Sequence, residues 1–180
     1  MKRASILPVY PKFPISFWSF KYALDFIDVP AQMPPLGLAT VAAMLPEEHF
    51  DIHRIIDVNV EPLRDEQIKS ADFILTSSML IQNDSLEEII SRVHAHGKKV
   101  IAGGPHPTSY KEKVRADHLV LGEFEGLAEF FIEDLLKGNM KKIYDEEDYL
   151  LDKKPSLHTT PVPRWDLFDL AKYSSLAIQF

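Results

Sequence analysis

The stretch ADFILTSSMLIQNDSLEEIISRVHAHGKKVIAGG, residues 71–104, decides the fold. Its first part, Asp72 to Ser77, has the length of a strand and is apolar enough to be buried on both faces. Ser85-Leu86-Glu87-Glu88 then has the form of a capping box, and Leu86, Ile89, Ile90 and Val93 recur at helical spacing until Gly97 stops the helix. Lys99 to Ala102 is a second apolar run, ended by Gly103-Gly104. Strand, helix and strand in that order imply parallel strands with a helix laid over them.

The same alternation extends both ways. Upstream, Ala4 to Val9 (ASILPV) reads as a strand, Pro34 and Pro35 favour helix entry, and Leu36, Ala39, Thr40 and Ala43 share a face of a short helix. Phe50 to Val60 alternates as a strand, and Asp65 to Ser70 is a short helix. Downstream, Asp117 to Leu121 makes a strand ending in Gly122; Gly126 to Lys137 carries Leu127, Phe130, Phe131 and Leu135 on one stripe, with Gly138 as its stop. The predicted fold is therefore α/β: a flavodoxin-like (Rossmann-like) five-stranded parallel sheet of order 2-1-3-4-5. That domain spans residues 1–138. Residues 139–180 turn charged and proline-rich, which predicts a C-terminal linker, and the closing SSLAIQF reads as a strand cut short by truncation. Between Pro11 and Pro35 lies a long connection with Phe13, Phe17, Trp18, Phe20 and Tyr22; its aromatics predict packing against something.

Composition narrows the function. With 46% hydrophobic residues in 180, the chain is long enough to bury a full core. Twenty basic against 27 acidic side chains, a net charge of -7, predict no nucleic-acid partner and no anionic membrane surface. The apolar runs are too short for a membrane span and no leader is evident, which predicts a cytoplasmic protein. Without cysteine, the chain itself holds no thiolate nucleophile, disulfide or cysteine-ligated cluster. Neither G-x-G-x-x-G nor the P-loop pattern is present. His94 and His96, two apart on a helix, point in different directions and read as surface histidines. Asp57 ends the second strand, the wrong place for a phospho-accepting aspartate.

In an open parallel sheet the ligand lies beyond the carboxyl ends of the strands, at the point where the strand order reverses. Four segments border that edge: the long loop ending in Pro34-Pro35-Leu36-Gly37, Thr76-Ser77-Ser78-Met79-Leu80, Gly103-Gly104-Pro105-His106-Pro107-Thr108, and Gly122-Glu123-Phe124-Glu125-Gly126. Each has a plain structural reading. The glycine pair makes a tight turn, the serines cap one, the glutamates favour a helix N-terminus, and the loop aromatics form a satellite core. Each also has a functional reading, since small residues at a strand exit let a large ligand touch the backbone. Their convergence on one edge favours a site.

PPLGLATVAAMLP, a strand ending in SSML, VIAGGPHPTS and ADHLVLGEFEG together resemble the N-terminal cobalamin-binding domain of cobalamin-dependent radical S-adenosylmethionine enzymes. The resemblance covers nearly the whole chain, because PVPRWDLFDLAKYSSLAIQF is similar to the segment that leads into the radical barrel. It implies that Ser77, Ser78 and Met79 line a slot for the nucleotide tail, that Gly103, Gly104, Pro105 and His106 contact the corrin or tail, and that Leu36 and Gly37 lie under the ring. Pro35, Gly122 and Glu123 complete the implied cofactor-binding set, with no catalytic or metal-ligating residue. The D-x-H-x-x-G motif of the methionine-synthase type is missing from the loop after strand one; Asp51-Ile52-His53 mimics it only superficially, in strand two. On that resemblance the lower face of cobalt would have no histidine from this chain.

The resemblance further implies a downstream radical domain in the same polypeptide, carrying a 4Fe-4S cluster and S-adenosylmethionine and acting on a small-molecule substrate. Relatives of that type include hopanoid and other C-methylases and the anaerobic magnesium-protoporphyrin monomethyl ester cyclase; the present chain alone would be inactive. The rival expectation is a stand-alone flavodoxin-like ligand-binding or signalling module without cobalamin. A small hydrolase is disfavoured by the lack of a nucleophile elbow or triad.

Overall fold

The structure, a computed structural model, describes residues 3–149, 156, 158 and 160–177. Its strands are β1 (Ala4–Tyr10), β2 (Phe50–Ile52), β3 (Ile56–Asp57), β4 (Phe73–Ser77), β5 (Lys99–Gly103), β6 (His118–Leu121) and β7 (Ile143–Asp145). The helices are α1 (Lys21–Phe26), α2 (Leu36–Met44), α3 (Asp65–Ser70), α4 (Asn83–Ala95), α5 (Pro105–Ser109) and α6 (Ala128–Lys137). The strands pair in parallel in the order β2-β1-β4-β5-β6-β7, with β3 also on β1.

β2 and β3 are two pieces of the expected second strand. Phe50 pairs with Ala4, and Ile56 with Val9, along the same edge of β1. The ladder breaks between them because Ile55 N donates to Leu167 O at 3.0 Å instead of to β1. Counted as one, they restore the expected order 2-1-3-4-5, to which β7 adds an outer strand. The sheet thus continues past Gly138. Tyr144 of β7 is fully buried, its hydroxyl donating to Asp134 Oδ2 and accepting from Lys141 N, each at 3.0 Å.

Side-chain alternation sorts the core into two layers. Ile6, Leu75, Ile101 and Val120 face α2 and α6, where Leu38, Ala39, Ala42, Phe131 and Leu135 cover them. Leu7, Val9, Ile74, Val100 and Leu119 face α3 and α4, with Ile68, Leu86, Ile89, Ile90 and Val93. Burying those four α4 side chains contributes on the order of 6–12 kcal/mol before entropy is subtracted.

Several local expectations are corrected. The α2 core face is Leu38-Ala39-Ala42 rather than Leu36-Ala39-Thr40-Ala43, because this helix is apolar all round and the pattern leaves its rotation undetermined. α4 starts at Asn83, before the Ser85 box: Gln82 Oε1 accepts from Met79 N at 2.8 Å, and Ser85 Oγ accepts from Lys12 N at 2.8 Å. Phe130 leaves the α6 stripe and stacks on Tyr149, centroids 4.6 Å apart.

Beyond Gly138, the stretch read as a linker is packed where it is described. Arg164 N donates to Ala39 O, Leu167 and Phe168 enter the α2 layer, and Tyr173 bridges Ala31. The last three residues of the expected SSLAIQF strand lie outside the described residues; Ser174 and Ser175 donate to Ala31 O and Gln32 O. The connection from 11 to 35 contains α1 and is pinned at its start, where Phe13 N donates to Asn59 Oδ1 at 2.8 Å. Beyond that point Phe17, Tyr22 and Phe26 stay outside the core, 81, 85 and 91% exposed, with Phe17 against Phe20 at 6.5 Å between centroids.

Candidate functional site at the carboxyl edge of the sheet

A cleft of about 260 Å³ opens where β4, β5 and β6 end. Its floor is Ile6, Leu75, Ile101 and Val120, one side chain from each of four adjacent strands. One wall is α2, through Leu36, Gly37, Thr40 and Val41; the other is Gly122, Glu123, Phe124 and Glu125. Ser77, Gly103 and Gly104 form the rim, and Thr160 reaches the cleft from the C-terminal segment, its hydroxyl 3.5 Å from Glu125 Oε1.

The strand exits are braced to each other. Ser78 N donates to Gly103 O at 3.1 Å and His106 N to Ser78 O at 2.9 Å, fixing the β4 turn to the β5 turn. Thr108 Oγ1 donates to Gly104 O at 2.9 Å and accepts from Gly122 N at 3.0 Å, joining the β5 turn to the β6 turn. Glu146, buried, accepts from Glu123 N. Such a frame holds its shape without a ligand, so binding carries little ordering cost.

Glycine is required at two of these positions. Gly104 has φ +92°, and a Cβ there would lie 2.5 Å from Ser77 Oγ and 3.0 Å from Ser78 N. Gly122 has φ +82°, and its Cβ would fall 2.1 Å from Glu146 Oε2. Two polar groups near the strand exits lack partners: Thr76 Oγ1, on the α3–α4 face of β4 with Val9 and Ala102, and Ser78 Oγ, in the β4 turn.

Of the expected residues, the cleft brings together Leu36, Gly37, Ser77, Gly103, Gly104, Gly122 and Glu123. Pro35 is buried at the α2 N-terminus, Ser78 lies below the surface, and Met79 and Pro105 are exposed beside the cleft rather than in it. His106 is 1% exposed and lines a separate cleft with Leu80, Asn83, Glu87, Lys113 and Arg115. Thr76, Phe124 and Glu125 of the expected edge segments also line the cleft; the sequence reading missed Thr40, Val41, Val120 and Thr160. A signal existed for Thr40 and Val41, which follow Leu36 and Gly37 by one helical turn; none existed for Thr160.

The other candidates fall elsewhere. His53 Nε2 lies 2.6 Å from Ser5 Oγ, near the amino end of β1. His94 and His96 take different carboxylates, Asp117 at 2.9 Å and Asp65 at 3.3 Å. Among the described residues no group of three or more histidine, aspartate or glutamate side chains is placed to hold a metal ion, and no helix is long and apolar enough to cross a membrane.

The B12 binding domain family matches residues 24–131. An uncharacterized methyltransferase of Synechocystis sp. is 37% identical over 177 residues, 97% of this chain and 32% of that protein. The hopanoid C-2 methylase of Rhodopseudomonas palustris is 29% identical over 181 residues, 97% of this chain and 33% of that protein. The bacteriochlorophyllide d C-12(1)-methyltransferase of Chlorobaculum tepidum is 27% identical over 137 residues, 75% of this chain and 29% of that protein. The chain spans about a third of the length of these relatives.

Proposed function

The chain belongs to the B12 binding domain family, and from that premise we propose that it holds cobalamin by its nucleotide tail, within a methyltransferase of the radical S-adenosylmethionine type. The observation that carries the reading is the cleft itself. It is apolar at its floor, bounded by α2, and kept open by glycines whose replacement would drive a Cβ into Ser77 and Glu146. About 260 Å³ is too little for a whole corrin and suits a flat aromatic base. The corrin then rests outside, across the carboxyl edge.

Each part of the chain has a task in this reading. Ile6, Leu75, Ile101 and Val120 exclude water from the base, while Gly37 and Gly104 allow close approach of backbone. The connection after β1, residues 11–35, contains no histidine, so it offers no imidazole to cobalt. Bound cobalamin supplies a cobalt centre that carries a methyl group. The 4Fe-4S cluster and S-adenosylmethionine would belong to a further domain of the same polypeptide; the relatives are named as methyltransferases and are about three times as long, which leaves room for one.

The test mixes this chain with hydroxocobalamin and removes free ligand on a desalting column. Retention of a corrin spectrum at one equivalent supports the reading, as does a large loss of affinity for cobinamide, which lacks the nucleotide. A colourless protein overturns it and leaves the ligand-binding or signalling module as the account of the fold.

A further inference from the structure

The second cleft, about 430 Å³, lies on the other side of the Gly103–His106 turn. Gly104 lines the first cleft and His106 the second, so along the chain only Pro105 separates them. Their linings differ in kind. Where the first is apolar, the second is framed by Asn83, Glu87, His106, Lys113 and Arg115.

Its buried polar atoms are unsatisfied. Neither ring nitrogen of His106 has a partner, although the residue is 1% exposed, and Glu87 Oε1 is buried without one. Arg115 has no ion pair among the described residues, and Lys113 sits over the Tyr110 ring at 4.6 Å. The His106 backbone is fixed by bonds from its N to Ser78 O and from Tyr110 N to its O, each 2.9 Å, which keeps the residue at the cleft. Unpaired buried groups of this kind are rare in folded proteins and ask for an occupant.

Charge selects the class of occupant. A bare anion would meet the Glu87 carboxylate, and a bare cation would meet Lys113 and Arg115. Burial, and secondarily the Lys113 charge, lowers the His106 pKa against the pull of Glu87, leaving a neutral ring with one donor and one acceptor. A neutral group that both donates and accepts satisfies Glu87 Oε1 and one ring nitrogen at once, and a primary amide is such a group. The rim of a corrin carries several.

We infer that the His106 cleft is a second anchor for the corrinoid, taking one primary amide of its rim between Glu87 and the Lys113–Arg115 pair. The inference rests on the cobalamin reading above and adds a second contact to it. The two clefts thus divide one ligand: base on the apolar side of α5, amide on the polar side.

The ligand rather than the fold is varied to test this. Cobalamin and its regioisomeric monocarboxylates, each with one amide hydrolysed, are titrated into this chain and into Glu87→Gln, with affinity read from the corrin absorbance. Glu87 is half-buried on the α4 surface and its amide counterpart keeps its size. In Glu87→Gln one regioisomer gains roughly tenfold relative to cobalamin, a coupling of about 1.4 kcal/mol, while the others keep their ratio. In Arg115→Met the same regioisomer loses. If every isomer keeps the same ratio to cobalamin in all three proteins, the second anchor is overturned while the tail cleft stands. If the unaltered chain retains no corrinoid, both fall together.

Discussion

The hydroxyl of Tyr173 donates to Asp57 Oδ2 at 3.1 Å, across 116 residues of chain. Asp57 is 2% exposed at the end of β3, and its other oxygen accepts from Asn59 N at 2.8 Å and Asn59 Nδ2 at 2.6 Å. Tyr173 therefore fastens the C-terminal segment to the edge of the sheet where the cofactor cleft opens. Tyr173→Phe leaves a buried carboxylate oxygen without a donor and lowers stability by about 1–3 kcal/mol. Urea unfolding checks it: the midpoint falls while the slope stays the same.

Asp57 also gives the stability a signature in pH. Burial raises its pKa, partly offset by the bonds from Asn59 and Tyr173. With the folded value above the unfolded one, folding takes up a proton. The cost is absent below the unfolded carboxylate pKa of about 3.9, grows as pH rises toward the folded pKa, and is constant above it. Asp57→Asn removes that cost. Its unfolding free energy relative to the parent chain rises from acid toward neutral pH; a difference flat with pH contradicts the assignment, whatever its constant offset.

What the sequence revealed and what it hid follow from the range of the interactions. Residues 71–104 were legible because strand length, helical period and the Gly97 stop are local and agree with one another. β7 was hidden. Ile143-Tyr144-Asp145 is three residues among charges, and its place is set by pairing with β6 and by the Tyr144–Asp134 bond, neither of them local. The glycines of the cleft were legible as strand exits, yet the reason Gly104 must be glycine lies in Ser77 and Ser78, 26 to 27 residues away. His106 reads as a neighbour of that turn; only the structure shows that its ring enters a different cleft.

Two glycines of the first cleft separate stability from binding. Gly104→Ala places a side chain at φ +92° against Ser77 and the Ser78 backbone, costing about 1–3 kcal/mol and narrowing the rim. A Cβ on Gly37, within α2, meets nothing within 4 Å, so Gly37→Ala gains about 0.5–1 kcal/mol. Both put a methyl group at the cleft and weaken cobalamin retention. Thermal unfolding moves in opposite directions for the two variants, while desalting shows the same loss of corrin.

Because the braced frame exists without ligand, cobalamin should stabilise the fold by mass action rather than by refolding it. At a free concentration 100 times the dissociation constant, binding to the native state alone adds about 2.7 kcal/mol. For a chain of 180 residues each kcal/mol raises the melting temperature by about 2–4 °C, so saturation moves it by roughly 5–11 °C. Far-ultraviolet circular dichroism stays unchanged on loading, since the bonds from Thr108 to Gly104 and Gly122 are already made. Cobinamide, which has no base to enter the apolar cleft, raises the melting temperature by a fraction of that shift, and cobinamide matching cobalamin would move the binding energy out of the cleft and onto the corrin.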